Sequence, residues 1–180
     1  MVDSTPQTTS GPPVWAAPIA LIAASSLIAA IWGGLGRMGW TAIDAPGILV
    51  LAHGPLVANG FFGTVIALER AVALDHPAYA TVPLAAGVGS WAGLLGFPVA
   101  GAGLVFGSSL GLVVIFGTLL RRDLSAHHAV MAAGAAAWSV GSVLYLLHFG
   151  SAGLDVSAAT PWWATFLVLT IAGERLELSR

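Results

Sequence analysis

Residues 46–68 read PGILVLAHGPLVANGFFGTVIAL, a run of 23 without a charged side chain. A helix rises 1.5 Å per residue, so about 20 such residues cross a bilayer core of about 30 Å. An apolar run of this length predicts a membrane-spanning helix. One residue does not suit it: His53 lies seven residues in, roughly 10 Å from the nearer end. An imidazole at membrane depth is costly unless something partners it, which makes His53 a candidate functional residue.

The rest of the chain repeats the pattern. Its 180 residues are 57% hydrophobic and 8% charged, and the mean hydropathy is +0.90, outside the range of soluble domains. Six apolar spans can be drawn, at about 14–35, 46–68 (continuing helical to 74), 79–96, 99–120, 128–149 and 156–173. The third and sixth are only just long enough. Gly96-Phe97-Pro98 leaves almost no loop between the third and fourth. The expected fold is all-α, a polytopic membrane helix bundle with six transmembrane helices over residues 14–180. Residues 1–13 (MVDSTPQTTSGPP) predict a disordered cytoplasmic tail. They lack the Lys or Arg that opens a signal peptide.

The arginines set the expected orientation. If the N-terminus is cytoplasmic, Arg70, Arg121, Arg122, Arg175 and Arg180 fall on the cytoplasmic side and only Arg37 falls outside. The positive-inside rule then places both termini in the cytoplasm, in a multi-pass cell-membrane protein whose immediate partner is the lipid bilayer. Trp162 and Trp163 would lie at the outer interface. Gly134 and Gly141 would line a close helix contact.

Composition also excludes chemistry. Without cysteine there are no disulfides, thiolate metal sites or cysteine nucleophiles, and without lysine there is no Schiff base. A net charge of −2 with no basic cluster gives no footing for nucleic acid. No serine–histidine–acid triad, carboxylate pair or phosphate loop supports a hydrolase or a kinase.

Positions 53, 57, 60, 64, 67 and 71 share a helix face by three-and-four spacing. They read His53, Val57, Gly60, Thr64, Ala67 and Ala71, a small and mostly apolar face. A flat macrocycle backed by Gly60 would suit it, with the imidazole on the metal. Two other roles stay open for His53: a hydrogen bond to a carbonyl freed by Pro55 in the next turn, and a proton or substrate site. His148 closes the fifth span in the same leaflet, so it is the candidate second metal ligand. The alternative is a solvated interfacial histidine. His127 and His128 could bind copper as neighbours, but they read better as the polar start of the fifth helix, capped by Ser125. His76 reads as a turn residue. Asn59 reads as a helix–helix hydrogen bond.

Glu69-Arg70 and Glu174-Arg175 end two spans at the same level. Cross-pairing, Glu69 with Arg175 and Arg70 with Glu174, would neutralise all four. The shared pattern Ile-Ala-x-Glu-Arg, at Ile66-Ala67-Leu68-Glu69-Arg70 and Ile171-Ala172-Gly173-Glu174-Arg175, reads either as a parallel internal repeat or as common helix-end composition.

Leu51-Ala52-His53-Gly54-Pro55-Leu56-Val57, with Asn59-Gly60-Phe61 after it, resembles the second-helix motif of heme–copper oxidase subunit I, where a His-Gly-x-x-Met segment carries an axial ligand of the low-spin heme. With Gly63-Thr64-Val65-Ile66-Ala67 it is more similar to small membrane proteins of the NnrS type, associated with nitric oxide stress. The resemblance covers about 25 residues and implies a heme-ligand role for His53 alone. Val57 stands at the motif's methionine, and the oxidase's His-Pro-Glu, copper-histidine and paired heme-histidine signatures are missing, so oxygen reduction is not implied. Six spans are half the usual twelve, which reads as a half-sized or truncated relative.

The leading expectation is an integral membrane heme-b (or metal) protein in electron transfer or sensing of NO or O2, with His53 as axial ligand. The alternatives are a small-solute permease or channel-like protein with His53 and Asn59 on the path, and a non-catalytic subunit of a larger membrane complex or homo-oligomer.

Overall fold

The computed structural model describes residues 13–40, 42, 44–74, 76–150 and 154–179. The expected tail thus lies, but for residue 13, outside the described residues. Six helical bodies follow one another: α1 (Ala16–Arg37), α2 (Gly47–Ala73), α3 (Thr81–Leu94), α4 (Pro98–Arg122), α5 (Ala126–Gly150) and α6 (Thr160–Leu178). Short 3-10 turns at Pro77–Ala80 and Val156–Ala158 lead into α3 and α6. The described residues contain no strand. The protein is all-helical, and five of its helices are long and apolar enough to cross a membrane. α3 is the exception, with 14 residues.

Local chemistry sets the ends. Gly39 and Gly96 have φ of 77° and 95°, a left-handed conformation that closes α1 and α3 and that a side chain would strain. Pro98 then opens α4 at a position that needs no N–H. α2 is not uniform. Pro55 lies inside it and has no N–H to donate, and from Leu56 to Gly63 the backbone runs as a π-helix before resuming α geometry at Thr64. The Thr64 hydroxyl donates to the Asn59 carbonyl five residues back.

Glycines let the helices touch backbone to backbone. A Cβ on Gly33 would strike the Leu49 carbonyl of α2. One on Gly89 would come within 2.7 Å of the Gly101 carbonyl, joining α3 to α4. Gly134 and Gly141 of α5 lie against Thr170 and Trp163 of α6. At the centre, the Trp138 indole of α5 donates to Asn59 Oδ1 of α2 at 2.7 Å and stacks on Phe166 of α6. This buried bond is the helix–helix contact expected of Asn59.

Many large apolar side chains face outward. Leu51, Leu21 and Ile28 are 77%, 71% and 68% exposed, while Ser26, Ser109, Ser142, Thr64 and Thr170 are buried. Large apolar side chains outside and small polar ones between helices suit a lipid solvent.

The two Ile-Ala-x-Glu-Arg segments are not equivalent. Ile66 and Ala67 are buried where Ile171 and Ala172 are exposed, and Arg70 is buried where Arg175 is exposed. Common helix-end composition accounts for the match. The structure also corrects the cross-pairing. Arg70 meets Glu69 at 2.9 Å, Glu174 at 3.7 Å and Glu177 at 3.6 Å. The expected Arg70–Glu174 pair forms. Glu69 turns to its own neighbour, so Arg70 takes the place assigned to Arg175, and Glu177 joins as a third carboxylate.

Candidate functional site: a cavity between two histidines

A cavity of about 1050 Å³ opens at the end of the molecule where α2 begins and where α3 and α5 finish. His53 and His148 both line it. Around them stand Ile48, Leu51 and Leu56 of α2, Gly89, Ser90 and Gly93 of α3, Tyr145 and Phe149 of α5, and Trp163 of α6. Arg37 and Asp155 are the charged residues of the wall.

His53 is held from α1. Its Nδ1 lies 2.7 Å from the Ala30 carbonyl oxygen, to which the ring donates in its Nδ1–H tautomer. Gly34 makes this contact available. A Cβ there would stand 2.8 Å from the ring's Cε1 and 2.9 Å from Nδ1, while Nε2 is farther, at 3.6 Å. The sequence suggests a bond to a carbonyl freed by Pro55 in the next turn; the structure sends it across to the neighbouring helix instead. His148 has the matching arrangement, its Nδ1 against the Leu154 carbonyl. The ring packs edge-on to Phe149, which in turn meets Tyr145, and Tyr145 meets Trp163.

Each imidazole is thus fixed through Nδ1 by a backbone carbonyl. That bond sets the Nδ1–H tautomer and leaves the Nε2 lone pair able to bind a metal. The Trp163 indole nitrogen, buried in the same wall, has no hydrogen-bond partner.

The other expected site residues lie elsewhere. Gly60 is not on the cavity wall. A Cβ on it would meet Ser26 of α1 at 2.9 Å and Ser90 of α3 at 3.2 Å, so the face it shares with Thr64, Ala67 and Ala71 is filled by helices. The expectation that Gly60 backs a flat cofactor fails for want of space. Asn59, bonded to Trp138 in the core, does not line the cavity either. Glu69, Arg70 and Glu174 cluster where α2 and α6 end, away from the histidines, and Arg175 is exposed. Trp162 is half-exposed, but Trp163 is buried in the wall instead of standing at an interface.

Sequence reasoning missed Tyr145, Trp163 and Arg37. Tyr145, His148 and Phe149 carry a signal, the three-and-four spacing that puts them on one face of α5. Trp163 and Arg37 carry none, because only the packing of α1 and α6 brings them to the cavity.

The fold and the cavity define a class, an all-helical protein with five helices long and apolar enough to cross a membrane and a histidine-lined pocket at one end. The chain matches, over residues 16–180, the family described as Domain of unknown function (DUF8744), and it belongs to that family. No curated protein and no solved structure matches it.

Proposed function

We propose that this chain is an integral membrane heme-b protein in which His53 is one axial ligand and His148 the other. The observation that carries the reading is the pairing of two imidazoles in one cavity, each with Nδ1 occupied by a carbonyl. The residues present fit the group. The cavity is at the top of the range for small-molecule sites, about 300–1,000 Å³. Its wall is largely aliphatic and aromatic, and Arg37 offers a cation for an acidic substituent. The second-helix resemblance at His53 points the same way.

Heme with two histidine ligands supplies a one-electron couple without an open coordination position. Electron transfer is therefore the favoured role, and gas sensing requires His148 to leave. The protein's own contribution is to orient both rings and keep bulk water from the pocket. We place it in a cell membrane with six crossings and both termini cytoplasmic, the lipid bilayer its first partner and a homo-oligomer or larger complex its setting. Without a heme, the same cavity would serve a small solute.

An absorption spectrum of the protein purified in detergent tests this. A Soret band with reducible α and β bands is expected. His53→Ala should remove the cofactor without preventing insertion, since alanine is a good helix former. His148→Ala should convert low spin to high spin. A folded, colourless protein overturns the heme reading and leaves the solute reading. Full heme occupancy in His53→Ala overturns the assignment of His53.

A further inference from the structure

We propose that Asp123, His127 and His128 form a second site, for a divalent first-row transition metal, at the opposite end of α5. The linker between α4 and α5 is only residues 123–125, and the fold closes it tightly. One ligand atom from each of Asp123, His127 and His128 lies within 4.8 Å of the others. The two imidazoles are stacked at an angle, ring centres 4.1 Å apart. Two imidazoles and a carboxylate are a donor set that holds zinc, cobalt or iron in the divalent state, with positions left for water.

A second observation points to a ligand. His127 is 5% exposed, and its Nδ1 is buried without a hydrogen-bond partner. A polar helix start explains His128, whose Nδ1 reaches the Asp123 carboxylate at 3.5 Å and the Ser125 hydroxyl at 2.9 Å. It does not explain why a second imidazole is buried beside it with a nitrogen unsatisfied. The Ser125 hydroxyl also lies 3.3 Å from His127 Nε2. Its one proton can go to one ring while it accepts an N–H from the other, so these contacts occupy one nitrogen of each ring and leave His127 Nδ1 over. A bound cation would take up the lone pair of a nitrogen that hydrogen bonds here leave over, and the Asp123 carboxylate would offset its charge. Arg121 and Arg122 beside the site are exposed, so solvent screens their repulsion.

The site is independent of the His53–His148 cavity. Twenty-one residues of α5 separate His127 from His148, roughly 31 Å along the helix. It abuts α6 as well, since a Cβ on Gly173 would stand 3.1 Å from the His127 carbonyl. A metal here would fasten the α4–α5 turn against α6.

Titration of the detergent-purified protein with Co²⁺ alone tests the proposal, read by its visible d–d absorption. One equivalent per chain is expected, with His128→Gln and Asp123→Asn each weakening binding by about tenfold or more. His76→Gln should bind as the parent does. His127→Gln is buried and can disturb folding, so the half-buried His128 and the exposed Asp123 carry the test, with thermal melting checked for each. Equal Co²⁺ affinity in the parent and the His128→Gln variant overturns the proposal. So does binding that is lost in His53→Ala and kept in His128→Gln, because it would belong to the cavity.

Discussion

Gly34 is the residue that lets His53 do anything. The Ala30 carbonyl belongs to α1's own ladder and is normally shielded by the side chain four residues on. With hydrogen in place of that side chain, the imidazole can sit on the helix and bond the carbonyl. Gly34→Ala puts a methyl 2.8 Å from Cε1, so the ring must shift. We expect a loss of about 1–3 kcal/mol in detergent unfolding and, under the proposed heme reading, a shifted or weakened cofactor band. An unchanged spectrum with unchanged stability would show that the ring is not held there. The charged cluster makes a second residue-scale prediction. Arg70 alone faces three carboxylates and is buried, so Arg70→Ala should cost about 1–3 kcal/mol. Arg175 is exposed, and Arg175→Ala should stay within about 0.5 kcal/mol. Comparable losses in the two variants would refute the asymmetry. His53 was legible in the sequence because a lone imidazole in an apolar run is anomalous wherever the run folds. Gly34 and Trp163 were not, because their roles depend on which helices become neighbours.

At the scale of the element, α2 shows why a face drawn from sequence misleads. Spacing by threes and fours assumes 3.6 residues per turn, but Leu56–Gly63 is π-helical and carries more. Each π turn rotates the face after Pro55 away from the one before it. His53 therefore reaches the cavity and Gly60 does not, although the α-helical count puts them together. The helix existed in the hydropathy pattern; its register did not. The glycines of α4 separate two further effects. Gly101 lies against the α3 backbone, where a Cβ would come within 2.7 Å of Gly93 N, and a backbone cannot step aside as a side chain does. Gly107 has nothing within 4 Å of its Cβ position. Gly101→Ala should thus destabilise by about 1–3 kcal/mol through overpacking. Gly107→Ala should gain up to about 1 kcal/mol in helix propensity. Thermal melts in one detergent decide this, and a loss at Gly107 matching that at Gly101 would overturn it.

For the whole molecule, the six-crossing reading depends on α3. Its 14 residues span about 21 Å, and the 3-10 turn Pro77–Ala80 adds about 8 Å at 2.0 Å per residue. The total of about 29 Å comes close to a bilayer core of about 30 Å. α3 also runs along α4, held at Gly89 against Gly101 and by the Ser108 hydroxyl on the Val82 carbonyl at 2.7 Å. The cavity adds a stronger constraint. It gathers Ile48 from the start of α2, Gly96 from the α3–α4 turn and Asp155 from the α5–α6 connection at one end of the molecule. In the six-crossing reading those three connections share a side because α3 returns the chain to it. Were α3 a short re-entrant helix, α4 would start on the arginine-rich side, and Asp123 and Asp155 would exchange sides. Reporter fusions discriminate sharply: Asp44 and Asp155 should read external, and Asp123 and the C-terminus cytoplasmic. An external Asp123 with a cytoplasmic Asp155 would overturn the six-crossing reading. It would also set His148 in the leaflet opposite His53, and the two imidazoles could no longer share one cofactor.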